Sequence, residues 1–451
     1  MTVAELAGRV AGVLPDPADE LQVAAVLESQ GITDQAAVEV YGVADVFELA
    51  RRVYDRLPRE PGPAPGAGAR DPRSWYDVAH GPLYLAPAAA YPALATALGA
   101  PAAVRVLVLA TTVGWLWGAG AGWAAHRVRR SGAGRAAGRL LRVLAVAGLA
   151  LAAVGALVLL PPGGGPAPAL FAVVLTAYQI ASGILVFYRR EPLVLLVALP
   201  AVLGGAVHLL RGRADDVPVL LFGFASAAAA LGLALLATLG AEDAVGVRPP
   251  GARVLVLGAL PGVGYAALCA AFLLHTDVRF VGGALDLAVA MAPLALGMGV
   301  VEWRANRVFE QVGELLREAR PTAWFRDAVW RLLLRELATC LLVLGALALV
   351  LLVCLGRAGL LTSRGALLVD AHVVLGGAFF LGFVLARTGC LARLLAVLAG
   401  VLVANVVLAG LVADAWAPDA HVPVFLVCCT ALSLLMLSAL RASVGDVHHY
   451  R

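Results

Sequence analysis

The sequence predicts an all-α polytopic membrane protein, with about twelve transmembrane helices in two six-helix lobes and a small helical region ahead of them. Three observations carry this. The 451 residues are 61% hydrophobic and 14% charged, against roughly 45–50% and about 25% in soluble domains. The apolar runs approach the ~20 residues needed to cross ~30 Å of hydrocarbon. A short charged stretch broken by Pro and Gly, Ala241–Arg253 (AEDAVGVRPPGAR), leaves six runs before it and six after. An even number of spans returns each block to the membrane face on which it began.

The expected division is a helical region over 1–60, a linker and interface segment over 61–83, a first lobe over 84–240, a seam over 241–253, a second lobe over 254–441 and a tail over 442–451. In the first region Thr2–Leu14, Pro17–Gln30, Asp34–Tyr41 and Asp45–Leu57 read as short amphipathic helices. Gly31 and Gly42 are stop signals, and Thr33 and Asp45 are N-cap candidates. Val46, Leu49, Val53 and Leu57 fall on one stripe. The first 20 residues carry acids and no continuous apolar core, so no leader is expected. The region reads either as a cap on the cytoplasmic face or as a docking region for a cytoplasmic partner. Glu60–Arg73 is a Pro/Gly/Ala linker, and Trp75 and Tyr76 fit an interfacial belt.

The predicted spans are 84–100, 103–125, 140–160, 167–188, 193–210 and 217–239, then 254–274, 280–302, 337–356, 366–386, 394–413 and 421–440. The first is short and contains Pro87 and Pro92. All 34 basic residues are Arg. One set of alternate loops holds 19 of them, from Arg127 to Arg142, at Arg189, Arg190, Arg248 and Arg253, from Arg304 to Arg335, and at Arg387 and Arg393. The other set holds six: Arg105, Arg211, Arg213, Arg279, Arg357 and Arg364. The positive-inside rule puts the rich set and both termini in the cytoplasm. The residue usage suggests a bacterial source and hence the bacterial cytoplasmic membrane. The net charge of +4 sits in loops between apolar spans, so nucleic acid is not an expected partner and membrane lipid is.

The halves match in arrangement. His126–Arg142 and Trp303–Arg335 are the long Arg-rich loops, Arg105 and Arg279 open the second and eighth spans, and Pro92 and Pro261 interrupt the first and seventh. Parallel repeats of this kind recur among secondary transporters. Within the second long loop, Asn306–Arg320 reads as an amphipathic helix on the membrane surface, its stripe being Val308, Phe309, Val312, Leu315 and Leu316. Trp324, Phe325 and Trp330 read as headgroup anchors behind it.

Polar groups within hydrocarbon are costly and mark functional candidates. Asp286 lies at i+7 from Arg279, on the same face of a continuous helix. Tyr178 and Gln179 sit near mid-span in the fourth run, Asn405 in the eleventh, and Asp370 and His372 a turn inside the tenth. These are cavity candidates, with an interhelical hydrogen bond of about 0.6 kcal/mol as the plainer role. The i,i+2 spacing of Asp370 and His372 sends them to different sides of a helix. Pro92 and Pro261 are candidate gating kinks, because an internal proline removes a helix hydrogen bond. No catalytic constellation, metal cluster or cofactor loop is expected. Gly118, Gly120 and Gly122 lie within an apolar span and read as helix packing rather than a dinucleotide loop. The six cysteines lack CxxC spacing and read as packing residues.

Arg253–Glu336 resembles the multidrug/oligosaccharidyl-lipid/polysaccharide (MOP) exporter superfamily, nearest to its exopolysaccharide-transporter branch. The resembling elements are LPGVGY, HTDVRF, and APLALGMGVVEW running into NRVFEQVGELL, with a looser likeness in LGGAFFLGFVLARTGCLARLLAVLAGVLVAN. The resemblance implies a 12-span, two-lobed exporter that carries a polysaccharide or lipid-linked glycan through a central cavity. A cytoplasmic glycosyltransferase is then a candidate partner for residues 1–60. The alternatives are a major-facilitator-type carrier, whose loop Asp is missing from RVRRSGAGRAAGR, a membrane enzyme of glycan assembly, for which every outer loop is short, and a non-transporting membrane subunit of a glycan-synthesis complex.

With the six native cysteines replaced, a cysteine at Gly163 or Ala417 is expected to react with an impermeant reagent added outside intact cells, and one at Gly134 is not. The reverse pattern inverts the topology.

Overall fold

The computed structural model describes residues 2–14, 20–57, 78, 80–85, 91–159, 165–211, 216–240, 249–280, 290–317, 322–359, 361–415 and 421–443. The chain forms two compact units, Met1–Pro72 and Arg73–Arg451.

The first unit has four helices: α1 (Val3–Val13), α2 (Glu20–Ser29), α3 (Asp34–Tyr41) and α4 (Val46–Tyr54). Thr2 and Glu5 form a capping box at α1, while Thr33 and Asp45 accept backbone N–H groups at the starts of α3 and α4. Each cap satisfies donors that a helix start leaves open. The expected stripe Val46, Leu49, Val53 and Leu57 is buried against Leu6, Val10, Val23 and Leu27. Two exposed ion pairs, Arg51–Glu20 and Arg52–Glu48, add little by comparison. Glu48 also accepts the Ala44 N–H at 2.8 Å, and that bond, with Arg52, holds its carboxyl below the ordinary carboxylate range. Leu49→Ala empties a site of zero exposure, so it is expected to cost about 2–5 kcal/mol. Hydrogen exchange on the full chain should show lost protection over α1–α4 and none over the second unit.

The second unit is a helical bundle: α5 (His80–Leu85), α6 (Tyr91–Leu98), α7 (Ala100–Arg130), α8 (Gly134–Leu159), α9 (Ala167–Phe187), α10 (Glu191–Arg211), α11 (Asp216–Leu239), α12 (Ala252–Phe280), α13 (Ala292–Arg317), α14 (Thr322–Arg357), α15 (Ser363–Arg387), α16 (Leu391–Ala415) and α17 (His421–Ser443). Among the described residues, nine helices are long and apolar enough to cross a membrane: α7, α8, α9, α11, α12, α14, α15, α16 and α17. They carry exposed Leu and Val on their outward faces, such as Leu157 at 77% and Leu342 at 73%. Exposed apolar surface in rows of this kind is suited to contact with lipid.

Several expectations change. The expected 84–100 span is represented by α5 and α6, and neither is long enough to cross alone. Pro92 is the second described residue of α6, and the residues before Tyr91, on which a kink there would depend, lie outside the described residues. The two long Arg-rich loops are largely helix: α7 and α8 meet through a three-residue turn, and α13 runs on to Arg317. The stretch from Asn306 therefore continues a longer helix instead of lying on the membrane surface. The described part of its stripe, Val308, Phe309, Val312 and Leu315, faces protein, with Val308 and Val312 packed among Phe325, Val329 and Leu333 of α14. Phe325 is accordingly a core residue, and Trp330 lies beneath Arg441.

The same pairings occur on both sides of the seam. α7 packs on α8 and α9, as α13 packs on α14 and α15; α11 packs on α9 and α10, as α17 packs on α15 and α16. The turns also correspond. Tyr188–Arg190 joins α9 to α10 with Arg189 at φ 57, and Thr388–Cys390 joins α15 to α16 with Gly389 at φ 76. Each of the two helix sets has its own buried core. Among the described residues the main pairings that join them are α7 with α12 and α5 with α13.

Candidate functional site

The helix pairings that join the two sets differ in chemistry. Along α7 and α12, small residues let the backbones close. At Gly258 a Cβ would fall 1.9 Å from a ring atom of Trp123, so only hydrogen fits beneath that indole. Gly120 faces Val263 in the same seam, which is the packing its sequence position suggested. Pro261 lies inside α12 within this stretch, where it removes one backbone hydrogen bond.

Along α5 and α13 the contact is also close but ends in ionisable groups. A Cβ on Gly81 would meet the Leu296 carbonyl oxygen at 1.9 Å. That backbone approach seats His80, the first residue of α5, between two acids. Its Nδ1 lies 2.5 Å from Glu302 Oε2 of α13, and its Nε2 lies 3.8 Å from Glu191 Oε1 of α10. The left-handed Arg189 closes the turn tightly enough for Glu191 to begin α10 at that place. Glu191 is 1% exposed, and its Oε1 has no hydrogen-bond partner among the described groups. At 2.5 Å a proton lies between the imidazole and Glu302. The acids approach opposite ring nitrogens, so they do not converge on one point. Among the described residues, no group of three or more His, Cys, Asp or Glu could hold a metal ion.

Below this on α13, Arg304 donates to Glu336 at 2.9 Å, and Arg335 donates to Glu336 at 3.0 Å and to Gln311 at 2.7 Å. Glu336 is 2% exposed. Removing one partner of such a buried pair costs about 3–5 kcal/mol.

The candidates named from sequence scatter. Arg105 is exposed, one turn into α7. Arg279 ends α12 instead of opening the next helix, and Asp286 lies outside the described residues. The same-face relation expected between those two therefore falls outside the described residues as well. Asn405 is buried and donates to Thr276 at 3.3 Å, an α16–α12 hydrogen bond. Asp370 is exposed while His372 is fully buried, with its ring against the Leu368 carbonyl, so the two diverge as their spacing requires. Gln179 is half-buried on α9. Tyr178, also on α9, lines a cavity of about 50 Å³ with Leu94, Phe171, Leu220, Phe224 and Ser226. The Tyr178 and Ser226 hydroxyls have no hydrogen-bond partner there.

His80, Glu191 and Glu302 were missed because they come from three distant segments, each at the edge of an apolar run. The one available signal was Glu302 closing the apolar run APLALGMGVVEW.

No known protein family matches the sequence, and no curated protein matches it. Solved structures do. The fold is similar to that of the MATE multidrug transporter DinF-BH, with a TM-score of 0.53 at 14% identity over 83% of this chain and 96% of the other. A weaker likeness, TM-score 0.37 at 14% identity over 82% and 96%, is to an inward-facing multidrug resistance MATE family transporter of the MOP superfamily. The class is thus a polytopic helical membrane protein. More particularly, its fold is similar to that of a MATE multidrug transporter.

Tyr178→Phe removes a hydroxyl that bonds to nothing described, so its melting temperature in detergent is expected to stay level or rise. A clear fall would place a water or ligand on that hydroxyl.

Proposed function

We propose that the chain exports or flips a polysaccharide or lipid-linked glycan across the membrane by rocking two six-helix lobes against each other. The observation that carries the transport reading is the likeness of the fold to a MATE multidrug transporter, aligned over 83% of the chain. The matched pairings on either side of the seam support the 6+6 plan and the lobe boundaries 84–240 and 254–441. The same fold favours this reading over a major-facilitator carrier. The glycan itself rests on the sequence resemblance across Arg253–Glu336 and on Arg105 and Arg279, which stand at the outer ends of helices. Arg forks fit phosphate and carboxylate oxygens in a bidentate way that neutral side chains cannot. Both termini then face the cytoplasm, where the four-helix unit is available to a glycosyltransferase. Pro261, inside the α7–α12 contact, is the gating kink of this scheme.

A second reading is export of a small multidrug-type compound, favoured by what the structural relative is called. Cargo separates the two. Arg105→Gln and Arg279→Gln are each expected to leave protein level unchanged, lower surface glycan and build up its lipid-linked or cytoplasmic precursor. If both grip one cargo, the double variant is non-additive. Full surface glycan in the double variant removes the glycan reading, and increased drug sensitivity in its place installs the second.

A further inference from the structure

We propose that the first helix set holds an anionic phospholipid against α8, its phosphate at Arg139 and its acyl chains along the apolar face that continues from that residue. The site depends on α8 and α11 crossing a membrane and on nothing about the cargo, so it goes beyond the export reading.

The first ground is the pattern of α8. Arg135, Arg139, Val143 and Val146, then Val154 and Leu157, fall on one stripe of the helix at steps of three, four and eight. All six are exposed, while Leu141, Ala145 and Ala152 on the other side are buried. The stripe opens with two Arg and is apolar from there on. That is the order of a phospholipid read from headgroup to tail.

Charge is the second. The first set gathers six Arg from Arg127 to Arg142, with Arg189 and Arg190 in the α9–α10 turn. The one acid described at that end of the set is Glu191, which is buried and directed at His80. Glu242 and Asp243 of the seam lie outside the described residues. Two of the Arg are engaged within the fold. Arg129 donates to the Phe187 carbonyl at 3.4 Å and covers the Phe187 ring, and Arg142 donates to Thr238 Oγ1 at 2.9 Å. Arg139 is exposed and pairs with no described group. Its planar fork can bind two phosphate oxygens at once, and basic residues at the ends of spans attract anionic headgroups.

The neighbouring helix favours a lipid over a soluble anion. The Arg142 bond sets the end of α11 beside the start of α8, where a Cβ on Gly138 would fall 2.4 Å from the Thr238 carbonyl oxygen. At this end α11 exposes Leu235, Leu236 and Leu239. Two adjoining helices thus offer apolar surface next to one unpaired cation.

The second set supplies a comparison. α14 stands to α13 as α8 stands to α7, and it too carries Arg one turn apart, Arg331 and Arg335, ahead of exposed Leu342 and Leu349. There, however, Arg335 donates to Glu336 and Gln311, and Asp327 stands 3.9 Å from Arg326. α14 answers much of its own charge, whereas Gly134–Arg142 carries three Arg and no acid.

The test uses the full-length chain with native cysteines replaced and a bimane fluorophore at Val146→Cys on α8 or at Leu342→Cys on α14. Nanodiscs hold phosphatidylcholine with a minor share of phosphatidylglycerol, and each lipid is brominated in turn so that it quenches a fluorophore it touches. The ratio of anionic to neutral quenching is expected to be about fivefold higher at Val146→Cys than at Leu342→Cys, the worth of one Arg near an anionic surface. Arg139→Gln should lower the Val146→Cys ratio to that at Leu342→Cys. Monodisperse elution and an unchanged melting temperature in phosphatidylcholine alone check that the variant is folded. If it is not, raised salt on the unmodified chain should shrink the same ratio, since an exposed pair is screened. Equal ratios at the two labels, a ratio that survives Arg139→Gln, or one that ignores salt overturns the proposal.

Discussion

Close approach of helix backbones is the constraint on which the membrane unit depends. In hydrocarbon, burying apolar side chains between helices gains little, because lipid tails are equally apolar. What remains is dispersion between surfaces that fit, and fit requires small residues. Gly258 beneath Trp123 and Gly81 against the Leu296 carbonyl are the two places where the helix sets meet most closely. At each, a single methyl group would force the sets apart. The seam is therefore set by absent side chains as much as by present ones.

That constraint accounts for where polar groups can be afforded. Within each set, helices are held by local pairs such as Arg142 to Thr238, Arg393 to the Ala439 carbonyl, and Arg304 to Glu336. These lie toward the Arg-rich helix ends, where a charged head can reach water while its stem packs on apolar neighbours. They fix each set as a body. Between the sets fewer helix pairs meet, chiefly α7 with α12 and α5 with α13, and the first of these is as extensive as the pairings inside each set.

The fold was largely legible in the sequence, and the site was not. Helix positions followed from apolar runs, because backbone groups in lipid have no partners other than each other. The four helices of the first unit followed from caps and the stripe on α4. The errors share one cause. Their charge makes Asn306–Arg320 and His126–Arg142 read as surface helix or loop, yet a helix does not stop where the membrane does. Whether Val308 and Val312 face lipid or α14 depends on a partner that periodicity cannot name. The sequence candidates were picked by a rule that polar groups deep in hydrocarbon are functional. Asn405 meets that rule and makes an ordinary interhelical bond with Thr276.

His80, Glu191 and Glu302 break the same rule from the other side. His80 and Glu191 are the first residues of α5 and α10, and Glu302 ends an apolar run inside α13, places where an ionisable residue attracts no suspicion, and only the fold brings them together. A charge at a helix end is cheap while water reaches it. It becomes consequential when a second element seals it, as α5 does by lying backbone to backbone on α13. Enclosure, not depth along a span, is what turns these side chains into a coupled group, and enclosure is a property of three segments at once. The short helix α5 is therefore more than the remnant of an expected span. By closing over Glu302 and reaching Glu191 it gathers ionisable groups from three segments at the contact between the two sets.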